Sequence, residues 1–174
     1  MRILKPLFKV AILALIVYAL YAWVIMPYFF VNKAKVVHMF DPDSYFVMKD
    51  GVISKVQLIG VDAPESVGTG NLKVRECYGE EAKHETAKKF FAGSREVVLE
   101  SDDEVGDKDV HGRDLRYLTL NDGTFLNEQL IRDGLARVYV PEDLTYKHKD
   151  KFIQAEEEAK NESRGIWSKE NCVK

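Results

Sequence analysis

Residues 56–66 read "VQLIGVDAPES". An apolar run ends in Asp62, Ala63, Pro64 and Glu65, so a strand is expected to deliver two carboxylates at its exit. Pro64 stiffens that exit and removes a competing backbone donor. Gln57 is a neutral polar residue near the start of the run. Upstream, "DPDS" at 41–44 places Asp41 and Asp43 in a tight turn, and "KDG" at 49–51 carries the Asp-Gly signal of a hairpin. A meander over 33–62 therefore brings Asp43 and Asp62 to one rim of a sheet. Carboxylates gathered in this way repel unless a cation neutralises them, and hard oxygen donors suit Ca²⁺ or Mg²⁺. Further along, "HGRDLRYL" at 111–118 sets Arg113 at the start of another strand, where its guanidinium can grip a phosphate in two places. Acids and an arginine together point to metal-assisted phosphoryl transfer.

The other elements follow from period and punctuation. Residues 78–92 have helical composition with Ala82, Ala87, Phe90 and Phe91 for a packed face, and Gly93 suits the stop. "REVVLES" and "RDLRYLTLNDG" read as strands around the acidic, turn-rich run 102–112, which is expected to be a solvated loop. A short helix over 124–134 turns Phe125, Leu126, Leu130 and Ile131 inward, and "LARVYV" returns as a strand. A charged surface helix is expected from about Asp143 to Ser163, with Phe152, Ile153 and Ala159 inward, closed by Trp167. The fold class is α+β, a small barrel with helices packed on it.

Residues 10–31, "VAILALIVYALYAWVIMPYFFV", hold no charge in 22 positions and have no polar period. A run of that length can cross a hydrocarbon core of roughly 30 Å, with Tyr28, Phe29 and Phe30 in the outer interface. It is expected to be an uncleaved transmembrane signal anchor after a basic N-terminus (1–9), partnered by a lipid bilayer. Arg2, Lys5 and Lys9 favour the N-terminus in the cytoplasm and the following domain outside. A cleaved signal peptide is the competing reading, weakened because "YALYAW" offers no small-residue cleavage site.

Without those three cations the chain has 22 basic against 28 acidic residues. That balance excludes a global attraction to nucleic acid, so a phosphate site must be a local patch. Two cysteines, Cys77 and Cys172, are too few for a zinc cluster. Outside the cytoplasm they could form one disulfide, worth about 4–5 kcal/mol by loop closure; two independent thiols are the other reading. The four histidines, His38, His84, His111 and His148, show no ligand spacing.

"FDPDSYFV", "VQLIGVDAPES", "YGEEAK", "DVHGRDLRYL", "DGTFLNEQLIRDGLARV" and "AEEEAKNESRGIW" together resemble the staphylococcal nuclease-like (thermonuclease) family in order and spacing. The resemblance covers roughly 33–168 and leaves a short tail, 169–174. It implies an OB-fold five-stranded barrel with three helices, a fold that commonly binds oligonucleotides. It further implies Asp43 and Asp62 as Ca²⁺ ligands with the Ala63 carbonyl, Glu65 as the base that handles the attacking water, and Arg113 on the scissile phosphate. The implied reaction is hydrolysis of a phosphodiester in DNA or RNA, by what is expected to be a monomer. The family places a second phosphate-binding arginine where Gln57 stands, and loss of such a donor typically costs about 10²–10³ in rate. Lys55, on the same strand face, could compensate in part; His111 and Tyr139 are further candidates to touch substrate. The alternative is a binding module for nucleic acid or protein that kept the fold and lost turnover.

Overall fold

The computed structural model describes residues 4–25, 32–66, 76–141 and 145–168. The chain divides into two units, Met1–Lys33 and Ala34–Lys174. In the first, helix α1 (Leu4–Leu20) runs 17 residues and passes into a π-helical turn, Tyr21–Ile25. The helix thus begins and ends earlier than the apolar run predicts. Seventeen residues rise about 26 Å, less than the roughly 30 Å of a bilayer core. Among the described residues no helix is long and apolar enough to cross a membrane. Pro27 and the aromatic trio Tyr28–Phe30 lie outside the described residues, as do Cys172 and the tail.

The second unit is built on a closed barrel. Strands β1 (Lys33–Asp41), β2 (Ser44–Lys49) and β3 (Val52–Leu58) form the expected meander. β5 (Glu96–Glu100) and β6 (Asp114–Leu120) complete the order β1-β2-β3-β6-β5. Asp50 and Gly51 both have positive φ, as the two central residues of a tight hairpin require. The pairing of β3 with β6 is parallel, Gln57 opposite Leu115, so everything between them forms one crossover. Val36, Tyr45, Val47, Val56, Leu58 and Leu118 fill the interior.

The run from Val52 to Asp62 is not one strand. It breaks after Leu58, where Gly60 adopts φ +72° and a Cβ would lie 2.7 Å from the Tyr146 ring. Buried Asn127 stabilises the break: its amide donates to the Ile59 carbonyl (3.0 Å) and its oxygen accepts the Leu118 N–H (2.9 Å). Val61 and Asp62 then form β4, which pairs with β7 (Arg137–Val138) in a separate two-stranded sheet. "LARVYV" therefore supplies two strand residues outside the barrel.

Among the described residues of this unit, three α-helices pack: α2 (Gly79–Phe90), α3 (Leu126–Arg132) and α4 (Lys149–Asn161). α4 starts about six residues later than its composition suggests, because Tyr146 turns inward beneath Gly60 and Phe152. Its buried face is Phe152, Ala155 and Ala159, while Ile153 faces out, as the i, i+3, i+7 geometry of a helix demands.

Candidate active site

The turn between β1 and β2 is anchored from within: the buried Tyr45 hydroxyl donates to the Pro42 carbonyl. This sets Asp41 and Asp43 at the barrel rim. Asp43 Oδ2 accepts the Ala63 N–H at 3.2 Å, and Asp43 O accepts the Leu58 N–H at 2.8 Å. Burial pushes the Asp43 carboxyl up to about 6, against bonds from Ala63 and Gln57; the charges of Asp62 and Asp41 push the same way as burial. Asp62 is also raised, first by burial and then by Glu76, while Arg137, its partner across the β4–β7 ladder, opposes. The structure brings Asp62 close enough for its charge to act on Asp43, though from β4, outside the barrel, and not from the meander's own sheet.

Glu65 follows on a loop held from two sides. Its N–H donates to Glu76 Oε2 at 3.3 Å, and its carbonyl accepts the Glu76 N–H at 3.1 Å. Buried Ser66 donates from N–H (2.9 Å) and hydroxyl (2.6 Å) to Asp41 Oδ1. The N-terminus of α2 rests on the same loop, where a Cβ on Gly79 would lie 2.2 Å from the Glu65 carbonyl oxygen.

Opposite the acids stands Arg113, delivered by the parallel β3–β6 pair. It ends a turn in which Asp109 Oδ1 accepts the N–H groups of His111 and Arg113, both at 2.9 Å. Asp109 Oδ2 takes the Arg113 Nε at 2.5 Å. Burial works against the Asp109 charge, but the Arg113 backbone and side-chain bonds outweigh it and hold the carboxyl below its usual range. The other end of the guanidinium donates from Nη1 to Gln57 Oε1 at 2.5 Å. The Gln57 side chain also lies near enough to Asp43 to favour its charged form. Arg113 is thus held between Asp109 and Gln57, with Gln57 beside Asp43. Gln57 is neutral, yet it joins the guanidinium to the acidic rim.

The remaining predicted residues fall at varying places. Lys55 shares the outward face of β3 with Gln57, but its Nζ sits 4.7 Å from the centre of the Phe40 ring. His111 is exposed at the tip of the Asp109 turn. Tyr139 is 55% exposed, and its N–H donates to Gly60 O at 3.0 Å, beside β4. Cys77 is disulfide-bonded; Cys172 is the other cysteine of the chain. The acidic run is not wholly solvated, since Asp102 is buried and accepts the Tyr117 hydroxyl at 2.7 Å and the Lys147 N–H at 2.9 Å. The sequence places Asp41 in its turn without a role, and gives none to Glu76, Gly79 or Asp109. Asp109 alone had a signal, the D-x-x-G-R spacing of an acid that caps its own turn.

Two aspartates raised by burial and by neighbouring carboxylates, with oxygen donors only, suit a hard divalent cation in charge and chemistry. Among the described residues, though, no three His, Cys, Asp or Glu side chains gather as a metal-holding group.

A five-stranded barrel with carboxylates at one rim and a clamped arginine beside them is an OB-type fold with a charged site at its edge. Residues 55–169 match the model of the staphylococcal nuclease homologue family, and the chain belongs to that family. It is 38% identical to a thermonuclease of Staphylococcus hyicus over 136 residues, covering 77% of this chain and 75% of the relative. It is 40% identical to a thermonuclease of Staphylococcus intermedius over 131 residues, with 74% and 72% covered. Endonuclease YncB of Bacillus subtilis (strain 168) is 33% identical over 151 residues, with 82% and 67% covered.

Proposed function

We propose that this chain is a nuclease that hydrolyses phosphodiester bonds in DNA or RNA. The observation that carries the proposal is the clamp on Arg113, bonded by Asp109 on one side and Gln57 on the other, which fixes a guanidinium beside the acidic rim. Arg113 binds the non-bridging phosphate oxygens and offsets the charge that builds as the water oxygen bonds to phosphorus. Glu65 orients that water and accepts its proton. The phosphorus–oxygen bond to the leaving group breaks, and the departing oxygen takes a proton from solvent. Asp43, Asp62 and the Ala63 carbonyl would hold the cation, which we take to be calcium. When bound, the cation supplies positive charge that offsets the carboxylates and polarises a phosphate oxygen.

The hydrophobic N-terminal segment is read as a membrane anchor with the second unit on the extracytoplasmic side, supported by 22 positions without a charge. On that side, Cys77 would pair with Cys172.

One observation favours a second reading, a binding module without turnover: Gln57 contributes no charge to the phosphate. Gln57→Arg separates the two. A gain of orders of magnitude in cleavage marks the natural chain as weakened or retired. The nuclease reading is tested by incubating the full-length chain in detergent with labelled single-stranded DNA and RNA. Cleavage with Ca²⁺, abolished by EDTA and by Asp43→Ala, is expected. Cleavage that persists in both would overturn the metal assignment.

A further inference from the structure

The outward face of β1–β2–β3 carries an aromatic cluster that the hydrolytic site does not use. The His38 and Phe40 rings meet edge to face at 4.7 Å, and Phe40 and Phe46 do so at the same distance. Lys55 lies over Phe40 at 4.7 Å. Bulges in β1 on either side of His38 and Met39 let His38 face outward opposite Phe46, and Phe46 in turn lies opposite Lys55. Phe46 is 37% exposed beside Met48 and Ile53, and a contiguous exposed apolar patch, unlike a lone ring, marks an interaction surface.

Charge singles out the same face. Lys35 of β1 and Lys55 of β3 stand exposed on it, in a chain whose net charge is −3. The face is also continuous with the site. Lys55 and Gln57 point the same way from β3, and Gln57 bonds Arg113.

We propose that this face is a stacking subsite for a single-stranded segment of the nucleic acid flanking the scissile phosphate. Phe46 and His38 present faces and edges to unpaired bases, and Lys55 serves the backbone. Bases paired in a duplex cannot reach such rings, so the subsite selects single strands. The identity of the strand rests on the nuclease reading; the test reads binding without cleavage.

Fluorescence anisotropy of a labelled single strand of about 12 nucleotides, within the span of one such fold, and of its duplex, is measured on the full-length chain in detergent with EDTA. Phe46→Ala should weaken single-strand binding about ten- to a hundredfold and leave duplex binding within about twofold. Phe46→Trp should restore it. The proposal is overturned if the wild type does not bind the single strand or if Phe46→Ala binds it as the wild type does. It is equally overturned if both probes weaken together, or if the loss appears on anionic lipid vesicles instead. Cleavage in Ca²⁺ is scored separately. A chain that binds here and does not cut refutes the nuclease reading alone; one that cuts while Phe46→Ala binds normally refutes this one alone.

Discussion

At the scale of single residues, Asp109 and Gln57 fix the geometry that Arg113 needs. A hydrogen bond to a charged group is worth about 1.5–3 kcal/mol, roughly ten- to a hundredfold in rate. Asp109→Asn keeps an acceptor for the turn but loses the charge facing Arg113 Nε. Cleavage should fall by about that factor while thermal unfolding shifts little. Asp43 gives a pH signature. Its folded carboxyl titrates at about 6 against an ordinary 3.8, so the folded chain retains a proton that the unfolded chain releases between those values. The Asp43 contribution therefore favours the fold most below about pH 4 and is lost as pH rises through 6, by at most about 3 kcal/mol. In EDTA, urea midpoints of wild type and Asp43→Asn should converge at pH 4 and separate at pH 7, with the variant the more stable. Of this pairing only Asp109 with Arg113, four residues apart, left a trace in the chain. Spacing exposed the acids, but Gln57 is read there only as a missing arginine, because a hydrogen bond across 56 residues leaves no local trace.

Among the elements, the parallel β3–β6 pair and the α2 contact do most to place the chemistry. The meander was readable because alternation and an Asp-Gly turn are local. The break at Gly60 was not, since the rings that demand it, Tyr146 and Phe152, are remote in sequence. The late start of α4 has the same cause. Gly79 lets the first turn of α2 touch the Glu65 carbonyl. A methyl group there forces the two backbones apart, and such overpacking costs about 1–3 kcal/mol. Gly79→Ala should lower the free energy of unfolding by that amount, read from urea melts. It should also reduce cleavage beyond what the stability loss explains, because Glu65 moves with its loop. Unchanged turnover in the folded fraction would separate Glu65 placement from α2.

For the whole molecule, composition and motif order carried the class, a five-stranded barrel with helices packed on it, in line with the family match over 55–169. The N-terminal segment shows the opposite limit, since hydropathy sees an apolar run and not where α-helical hydrogen bonding gives way to a π turn. Net negative charge is compatible with a phosphate-directed site because the needed cations are local: Arg113 in the site and the lysines of β1–β3 beside it. Binding should accordingly be weak and strongly salt-dependent. The central claim is that Arg113, clamped by Asp109 and Gln57, stabilises a phosphodiester under attack. The most direct measurement is the single-turnover rate of single-stranded DNA hydrolysis in Ca²⁺ for the full-length chain and for Arg113→Gln. The predicted result is measurable hydrolysis that falls about 10²–10³-fold in the variant. Equal rates, or no hydrolysis by correctly folded wild-type protein, would contradict the account.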